Sequence, residues 1–362
     1  MFTSDCTALK LTSASGRPYW FRTCDIGGNI WADGAHVVSF PAGAEVTLAR
    51  RETPLKVKHA LVGMTDNSLD TWLLDGVNDA GMVGGLLALY EAVSADRSDP
   101  GFEGIVGMEM ITALLATCGS VAEVVEAARR VQVLSIPTPD GRVNCTMHYM
   151  FTDPTGACVI LEAADPERPG MLTIYQENLG MMTNSPPYPE QLRNLAWYLS
   201  QSPELRFGVE GKRIDSITLN GMTVQGDDAA PHFTRTDAFP GSYAACDRFI
   251  RTAVLSCLNR EGKDISDEQM LPLGSNLMSA VFEPHNQGVY HYIRLDEQDA
   301  PVGQHESYTQ YLVMYDLTQR ALYLRPYDTT AWTRITLAGC SDTEIQRHPV
   351  CREALGGVIR NN

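Results

Sequence analysis

The sequence has no apolar run long enough to cross a membrane, because its longest candidates, at 108–118 and 253–258, fall short of the ~18–20 residues that a span needs. Basic residues are scarce, and 28 Lys and Arg against 44 Asp and Glu give a formal net charge of −16. That balance argues against a nucleic-acid partner. Residues 1–5 have neither the basic stretch nor the apolar core of a secretory signal, so we expect a freely soluble, cytoplasmic protein.

Several catalytic and cofactor motifs are also missing. The chain has no GxSxG motif, no Walker loop and no dinucleotide-binding fingerprint, and its eight histidines lack a spacing typical of metal ligands. Its nine cysteines form no CxxC pair and are odd in number, which argues against a disulfide framework or a zinc site. Reduced thiols, mostly buried in the core, are the simplest interpretation.

Alternating and helical patterns divide the chain into blocks. One hairpin is predicted from residues 7–12 and 17–23, and a second from 147–153 and 157–163. Further strands are predicted at 36–40, 59–64, 81–89, 171–176, 179–184, 308–316 and 320–326, and helices at 103–131 with a break near Cys118, at 190–200, at 247–259 and from Ser266. Strands, helices, strands, helices and strands follow one another without a linker, which predicts one α+β domain of sheets packed together with helices outside.

Cys6 is the first residue that suggests chemistry. If residues 1–5 were removed, Cys6 would carry a thiol and a free α-amine, which together supply a nucleophile and its general base. An α-amine has a reference pKa of about 7.7–8.0, close enough to neutral for that role. The alternative, which holds for most cysteines, is a small core residue. Cys24 is the other cysteine of interest, because it lies beside the residues considered next.

Arg22 and Asp25 lie at the end of the predicted first hairpin. The turn at 13–16 would return Arg22 to the side of Cys6, where a guanidinium favours a thiolate. Asp25 could accept a hydrogen bond from the new amine and hold it over the sulfur. The alternative is an ordinary surface Arg–Asp pair.

Asn184 and Arg248 are two further candidates. Asn184 lies between a predicted strand and a predicted helix, where its amide could donate to a developing oxyanion or simply form a turn with the Ser-Pro that follows. Arg248 lies near a predicted helix start. It either points into a site or shares a solvated helix face with Arg251.

The segment 75–81, which contains Asn78, is a predicted tight turn before a glycine-containing strand. Such a turn is often only a connection between strands. Here it could also direct the backbone N–H groups near Leu87 and Ala88 towards the nucleophile.

Taken together, these motifs resemble the choloylglycine hydrolase family of N-terminal nucleophile hydrolases, which contains bile salt hydrolases and penicillin V acylases. The resemblance runs from Cys6 to about Asp328. Its anchors are CTAL with Arg22 and Asp25, the DGVNDAGMVGG segment, NCTMHYMFTDPTG (144–156), MTNSP around Asn184, PGSYAACDRFIR with Arg248, and ESYTQYLVMYDL (306–317).

The resemblance implies a four-layer αββα sandwich over residues 6–362 and a leader, residues 1–5, removed by cleavage of the Asp5–Cys6 bond. It implies that Cys6 is the nucleophile, positioned by Arg22 and Asp25, with Asn184 donating to the oxyanion and Arg248 supporting the site. Asn78, Leu87 and Ala88 are expected to bind the substrate or its oxyanion. The implied reaction is hydrolysis of a linear, non-peptide amide through an S-acyl-enzyme, without metal or organic cofactor, and homotetramers are common in the family.

The substrate implied by the resemblance is a small amphiphilic amide. Conjugated bile salts are the first choice and penicillin V or acyl-homoserine lactones the alternative. In the strand after the glycine turn, bile salt hydrolases of Gram-positive type carry Asn and penicillin acylases carry Tyr. This chain reads Leu-Leu-Ala-Leu-Tyr at 86–90, with Tyr90 slightly out of register, which leaves the preference open. The apolar side chains expected around the mouth are Trp20, Phe21, Ile26, Ile30, Trp31, Leu69 and Trp72. A contrary possibility is a non-catalytic binder of amphiphiles that never exposes Cys6.

Overall fold

The computed structural model describes residues 4–139, 141–201, 214–232, 239–285, 290–295 and 301–352, so residues 1–3 of the expected leader lie outside the described part. The strands are β1 (Ser4–Thr12), β2 (Pro18–Gly27), β3 (Val37–Phe40), β4 (Glu45–Val46), β5 (Leu55–Lys56), β6 (Leu61–Thr65), β7 (Leu73–Asn78), β8 (Val83–Ala88), β9 (Glu103–Val106), β10 (Val131–Leu134), β11 (Ile136–Thr138), β12 (Gly141–Val143), β13 (Met147–Thr152), β14 (Cys158–Glu162), β15 (Thr173–Tyr175), β16 (Met181–Met182), β17 (Ser216–Leu219), β18 (Met222–Gln225), β19 (Tyr290–Leu295), β20 (Pro301–Asp316), β21 (Ala321–Pro326), β22 (Thr333–Thr336) and β23 (Gln346–His348). The helices are α1 (Met110–Thr117), α2 (Val121–Ala128), α3 (Tyr188–Ser200), α4 (Ala245–Leu258) and α5 (Met270–Ser279).

Two large antiparallel sheets form the centre of the molecule. The first sheet has the order β16–β1–β2–β20–β21–β22, with β19 also paired to β20, and the second has the order β15–β14–β13–β8–β7–β6–β3–β23. Helices α1 and α2 pack on the second sheet, whereas α4 and α5 pack on the first. The two sheets meet through β1 and β8. The predicted αββα sandwich is therefore confirmed.

Strand β2 shows how the layers are held together. Successive side chains of a strand point to opposite faces, so Trp20 and Phe21 enter different layers. Trp20 reaches the second sheet at Gly85, where a Cβ would lie 2.5 Å from the indole ring, and Phe21 meets α5 at Gly274, where a Cβ would lie 1.9 Å from the ring. Both aromatic side chains are fully buried, so the expectation that they line a substrate mouth is wrong.

The other expected mouth residues divide by exposure. Ile26 and Ile30 are buried, Trp31 and Trp72 are partly buried, and Leu69 is 48% exposed. Only the last three therefore have surface that a ligand could cover without rearrangement.

Two predictions of local structure are wrong. The segment 75–78 is the end of β7 rather than a turn, and the turn follows at residues 79–80. Residues 103–106 are a strand that pairs in parallel with β10, rather than the start of a helix. Strand β7 is buried throughout, so it lacks the apolar–polar alternation that identifies a half-buried strand.

Most of the remaining predicted elements are confirmed with shifted ends, including both hairpins and the break between α1 and α2. Within the part of the chain that the structure describes, no helix combines the length and apolar character needed to cross a membrane.

Candidate active site

The β1–β2 hairpin brings Arg22 to the sulfur of Cys6. In the register of this pair, Cys6 lies opposite Cys24 and Ala8 lies opposite Arg22, so these four side chains share one face of the first sheet. Arg22 is the diagonal neighbour of Cys6, and its Nη2 donates to Cys6 Sγ at 3.2 Å. Both residues are fully buried. A guanidinium at this distance stabilises a thiolate over a thiol.

Arg22 is itself held from its other side by Asp75. Its Nη1 donates to Asp75 Oδ2 and to the Leu74 carbonyl, both at 2.8 Å. The same carboxylate accepts hydrogen bonds from the hydroxyls of Tyr311 at 2.6 Å and Tyr315 at 2.5 Å. Burial raises the pKa of both tyrosines well above the usual value, so they remain donors. The guanidinium therefore has its counter-ion and a fixed orientation.

The buried position of Arg22 and Asp25 excludes the alternative of a surface ion pair, since both are fully enclosed and Arg22 pairs with Asp75 instead. The carboxylate of Asp25 accepts hydrogen bonds from Thr309 Oγ1 at 2.5 Å and from Thr23 Oγ1 at 3.0 Å. Burial, followed by the negative charge of Glu283, raises the pKa of Asp25 well above its usual value. Two threonine hydroxyls are thus the groups that orient this acid.

Asn184 lies against the backbone nitrogen of Cys6. Strand β16 pairs with β1, and the chain leaving β16 carries Asn184 to a point where its Oδ1 accepts the Cys6 N–H at 2.6 Å. The Nδ2 of Asn184 donates to the Ala88 carbonyl at 2.9 Å. Asn184 therefore joins the nucleophile candidate to the end of β8 in the second sheet.

Arg248 reaches the same point from helix α4. Its Nη1 donates to the Cys6 carbonyl at 2.6 Å and to Thr7 Oγ1 at 2.8 Å, and its Nη2 donates to Asn184 Oδ1 at 2.8 Å. Its Nε lies 3.5 Å from a carboxylate oxygen of Glu283, and both side chains are buried. This arginine fixes the backbone around Cys6 and the orientation of the Asn184 amide together.

The alternative placement of Arg248 on a solvated face with Arg251 is wrong. Arg248 is 0% exposed and Arg251 is 5% exposed. Arg251 donates instead to the carbonyl groups of Ala280, Pro240 and Ser242. It closes the loop that precedes α4.

Asn78, Leu87 and Ala88 occupy different surroundings. The Asn78 amide donates to the carbonyls of Leu115 and Cys118, and its Oδ1 accepts the Met82 N–H, so these bonds tie the β7–β8 turn to α1. Leu87 is a buried strand residue. Of the three, Ala88 is the one bonded to the Cys6–Asn184 group, through its carbonyl.

His148 supports this group and was not identified from the sequence. Its Nδ1 lies 2.9 Å from Glu162 Oε1 and its Nε2 lies 2.8 Å from the Thr183 carbonyl. Both ring nitrogens of His148 therefore have a buried polar partner. The same Glu162 carboxylate accepts the Tyr188 N–H. The sequence signal for the His148–Glu162 pair is a histidine and a glutamate at opposite positions of the predicted 147–153 and 157–163 hairpin, each within an apolar strand.

Comparison with known proteins gives a family match that begins at Cys6. The model of the family described as linear amide C–N hydrolases, choloylglycine hydrolase family, matches residues 6–277. A bile salt hydrolase/transferase of Clostridium perfringens is 28% identical over 272 residues, which are 72% of this chain and 75% of that protein. One from Lactiplantibacillus plantarum is 25% identical over 331 residues, which are 85% of this chain and 90% of that protein.

Two solved structures share the fold. A variant of the conjugated bile acid hydrolase of Clostridium perfringens superimposes with a TM-score of 0.75 at 20% identity, covering 98% of this chain and all 100% of the other. The penicillin V acylase of Agrobacterium tumefaciens gives 0.65 at 18% identity, covering 94% and 90%.

Proposed function

The chain belongs to the choloylglycine hydrolase family of linear amide C–N hydrolases, and within that family we propose that it hydrolyses the amide of glycine- or taurine-conjugated bile salts. One observation carries the proposal. The sulfur of Cys6 lies 3.2 Å from a buried guanidinium nitrogen, while its backbone nitrogen lies 2.6 Å from Asn184 Oδ1. The sulfur, as the proposed nucleophile, and the nitrogen, as the proposed base, are thus each held by a different buried side chain.

The proposal requires removal of residues 1–5. Strand β1 begins at Ser4, and Ser4 and Asp5 pair with Ile26 and Asp25 of β2. Cleavage of the Asp5–Cys6 bond converts the nitrogen held by Asn184 into an α-amine. The start of the family match at Cys6 supports this maturation.

The proposed reaction has two stages. The Cys6 sulfur attacks the substrate carbonyl, and the α-amine takes the thiol proton and passes it to the leaving nitrogen, which departs as glycine or taurine. Asn184 Nδ2 stabilises the oxyanion by exchanging its bond to the Ala88 carbonyl for one to the substrate. Water then attacks the thioester, releases the free acid and restores the thiol. No step requires a metal or an organic cofactor.

The names of the bile salt hydrolase relatives support the choice of conjugated bile salts. Penicillin V acylase activity is the second candidate, since a penicillin V acylase shares the fold over 94% of this chain. Acyl-homoserine lactones are the third substrate class to include in the test. Ala88, whose carbonyl accepts a hydrogen bond from Asn184 Nδ2, has no polar side chain to offer the substrate.

The test compares glycocholate, taurocholate, penicillin V and a long-chain acyl-homoserine lactone as substrates, with the intact mass of the same preparation measured in parallel. We expect a protein that starts at Cys6 and turns over the two bile salts fastest. Cys6→Ala removes turnover, whereas Cys351→Ala, at a half-buried cysteine near the end of the described chain, preserves it. Full activity in a preparation that retains residues 1–5 contradicts the mechanism. If penicillin V is cleaved faster than both bile salts, the assignment of bile salts as substrates is wrong and penicillin V takes their place.

The same proposal includes a cytoplasmic homotetramer. Light scattering coupled to size exclusion tests the subunit number on the protein that starts at Cys6. A mass equal to one chain or two contradicts the tetramer without affecting the reaction.

A further inference from the structure

The two cysteines of the β1–β2 hairpin, Cys6 and Cys24, face each other directly across the strands. The hydrogen-bond pattern of β1 shows which type of pair they form. The N–H of Lys10 donates away from β2, to Gly180 beside β16, whereas Ser13 N–H donates to Arg17 across the hairpin turn. Cys6 lies four residues before Lys10 in the same strand, so its N–H also points away from β2, and it donates to Asn184. Cys6 and Cys24 are therefore a non-hydrogen-bonded pair.

This geometry matches that of a disulfide. In a non-hydrogen-bonded antiparallel pair the two Cα atoms are about 4.5 Å apart and the side chains are at their closest. Disulfides bridge Cα atoms separated by roughly 4.4–6.8 Å. A bond between these two sulfurs thus needs rotation of side chains and no slip of the strands.

Both sulfurs also contact one nitrogen. Arg22 Nη2 lies 3.2 Å from Cys6 Sγ and 3.6 Å from Cys24 Sγ. Burial, together with a hydrogen bond to Cys6, raises the pKa of Cys24 well above its usual value. Cys24 is thus a protonated thiol held beside the nucleophile. The proposed hydrolysis uses one sulfur and leaves the second without a role.

We propose that Cys24 is a resolving thiol, which forms a reversible disulfide with Cys6 when a peroxide oxidises the nucleophile. The inference rests on the proposed function in one respect, because the peroxide must reach Cys6 by the route that the substrate uses.

The chemistry balances in two steps. The Cys6 thiolate attacks one oxygen of hydrogen peroxide, the O–O bond breaks, and Cys6 becomes a sulfenic acid while hydroxide leaves. The Cys24 sulfur then attacks the Cys6 sulfur, the S–O bond breaks, and water leaves with the Cys24 proton. The two thiols have lost two electrons and the peroxide has gained them. A reducing dithiol returns both cysteines to their starting state.

The disulfide would protect Cys6 from irreversible oxidation while the enzyme is inactive. A sulfenic acid without a nearby thiol proceeds to sulfinic and sulfonic acids, which a dithiol does not reduce. Cys24 diverts Cys6 from that path, so oxidation stops turnover without destroying the enzyme.

The experiment uses the protein that starts at Cys6, treated with hydrogen peroxide under native conditions, alkylated and mapped by peptide mass spectrometry. We expect a Cys6–Cys24 cross-linked peptide, loss of amide hydrolysis, and recovery of most of the activity with dithiothreitol. In Cys24→Ala the cross-link is absent, Cys6 accumulates as sulfinic acid, and the lost activity does not return. Cys24→Ser gives the same result with less change in volume. Cys351→Ala behaves as the wild type.

Two results overturn the inference. One is equal conversion of Cys6 to sulfinic acid in the wild type and in Cys24→Ala or Cys24→Ser. The other is a wild type in which Cys6 and Cys24 stay reduced at a peroxide concentration that oxidises Cys351. The cross-link is measured by mass and needs no turnover. A protein that forms it but hydrolyses no amide therefore contradicts only the proposed function.

Discussion

Asp75 is the residue on which the buried charge of Arg22 depends. The pair is 2.8 Å apart and neither side chain is exposed to solvent. Removing one partner of such a pair leaves an uncompensated charge in a medium of low polarity. The tyrosine hydroxyls on Asp75 do not replace that charge, because they are neutral.

We predict that Asp75→Asn lowers the free energy of unfolding by about 3–5 kcal/mol and slows turnover, because Arg22 loses its counter-ion and its alignment with Cys6. Urea denaturation of the wild type and the variant measures the first effect. The matched control is Asp96→Asn, at an aspartate whose side chain is 78% exposed, with an expected change within about 0.5 kcal/mol. Equal stability of Asp75→Asn and the wild type would show that the Arg22–Asp75 pair is not a net contributor.

Asp25 gives a prediction about pH. Burial raises its pKa in the folded state, whereas in the unfolded chain a carboxyl titrates near about 3.9. The folded state therefore binds the proton more tightly, and the stability that this proton provides is lost as the pH rises above about 4 and through the raised pKa.

We accordingly expect Asp25→Asn to gain stability relative to the wild type as the pH increases, because Asn carries no charge to bury. Unfolding curves at a series of pH values between about 4 and 8 measure the difference. A difference that stays constant across that range contradicts the raised pKa. Turnover should also fall in this variant, because the family resemblance implies that Asp25 positions Cys6.

At the scale of elements, the close approach of α5 to β2 depends on Gly274. A Cβ at this position would lie 1.9 Å from the Phe21 ring, and Phe21 is fully buried. Alanine normally favours a helix interior over glycine by about 1 kcal/mol. Here the steric conflict dominates, because a core ring cannot move away without displacing its neighbours.

Gly274→Ala should therefore destabilise the protein by about 1–3 kcal/mol, measured by thermal or denaturant unfolding. Gly241→Ala is the control, since no atom lies within 4 Å of a Cβ built there. A gain in stability for Gly274→Ala would mean that helix propensity dominates and that α5 can shift away from β2.

Elements differ in how well the sequence predicts them, for physical reasons. The β1–β2 hairpin has a turn rich in Ser and Gly and an alternating first strand, so both its existence and its register follow from local pattern. Strand β7 is covered on both faces, contains the Asp75-Gly76 pair and ends at Asn78, directly before Asp79, and both pairs favour turns. Its pairing with β6 and β8 depends on contacts that are distant along the chain.

The candidate active site also depends on contacts between residues that are distant along the chain. Local pattern places Arg22 near Cys6, but Asn184 and Arg248 are 178 and 242 residues away from it along the chain. Local pattern made each of them a candidate, and only the family resemblance indicated that both lie at Cys6. The supporting residues Asp75, Tyr311 and His148 were missed because their partners lie on other elements.

At the scale of the whole molecule, net charge is the dominant electrostatic quantity. A formal charge of −16 on 362 residues produces self-repulsion in the compact state. Salt shortens the range of that repulsion, since the Debye length falls from about 30 Å at 0.01 M to about 8 Å at 0.15 M.

We predict that the Tm rises when sodium chloride is increased from about 0.01 M to about 0.15 M at neutral pH. Differential scanning calorimetry at matched protein concentration measures the shift. A Tm that falls with salt would mean that attractive ion pairs outweigh the overall repulsion.

The hydrogen bonds around the Cys6 nitrogen have a consequence for the proposed maturation at the Asp5–Cys6 bond. Asn184 and Arg248 already surround an intact peptide link. A single cut at that link would then complete the catalytic group without rebuilding the core around it. We expect the precursor and the enzyme that starts at Cys6 to have the same far-ultraviolet circular dichroism spectrum. Activation would then require cleavage of one peptide bond and no change of secondary structure.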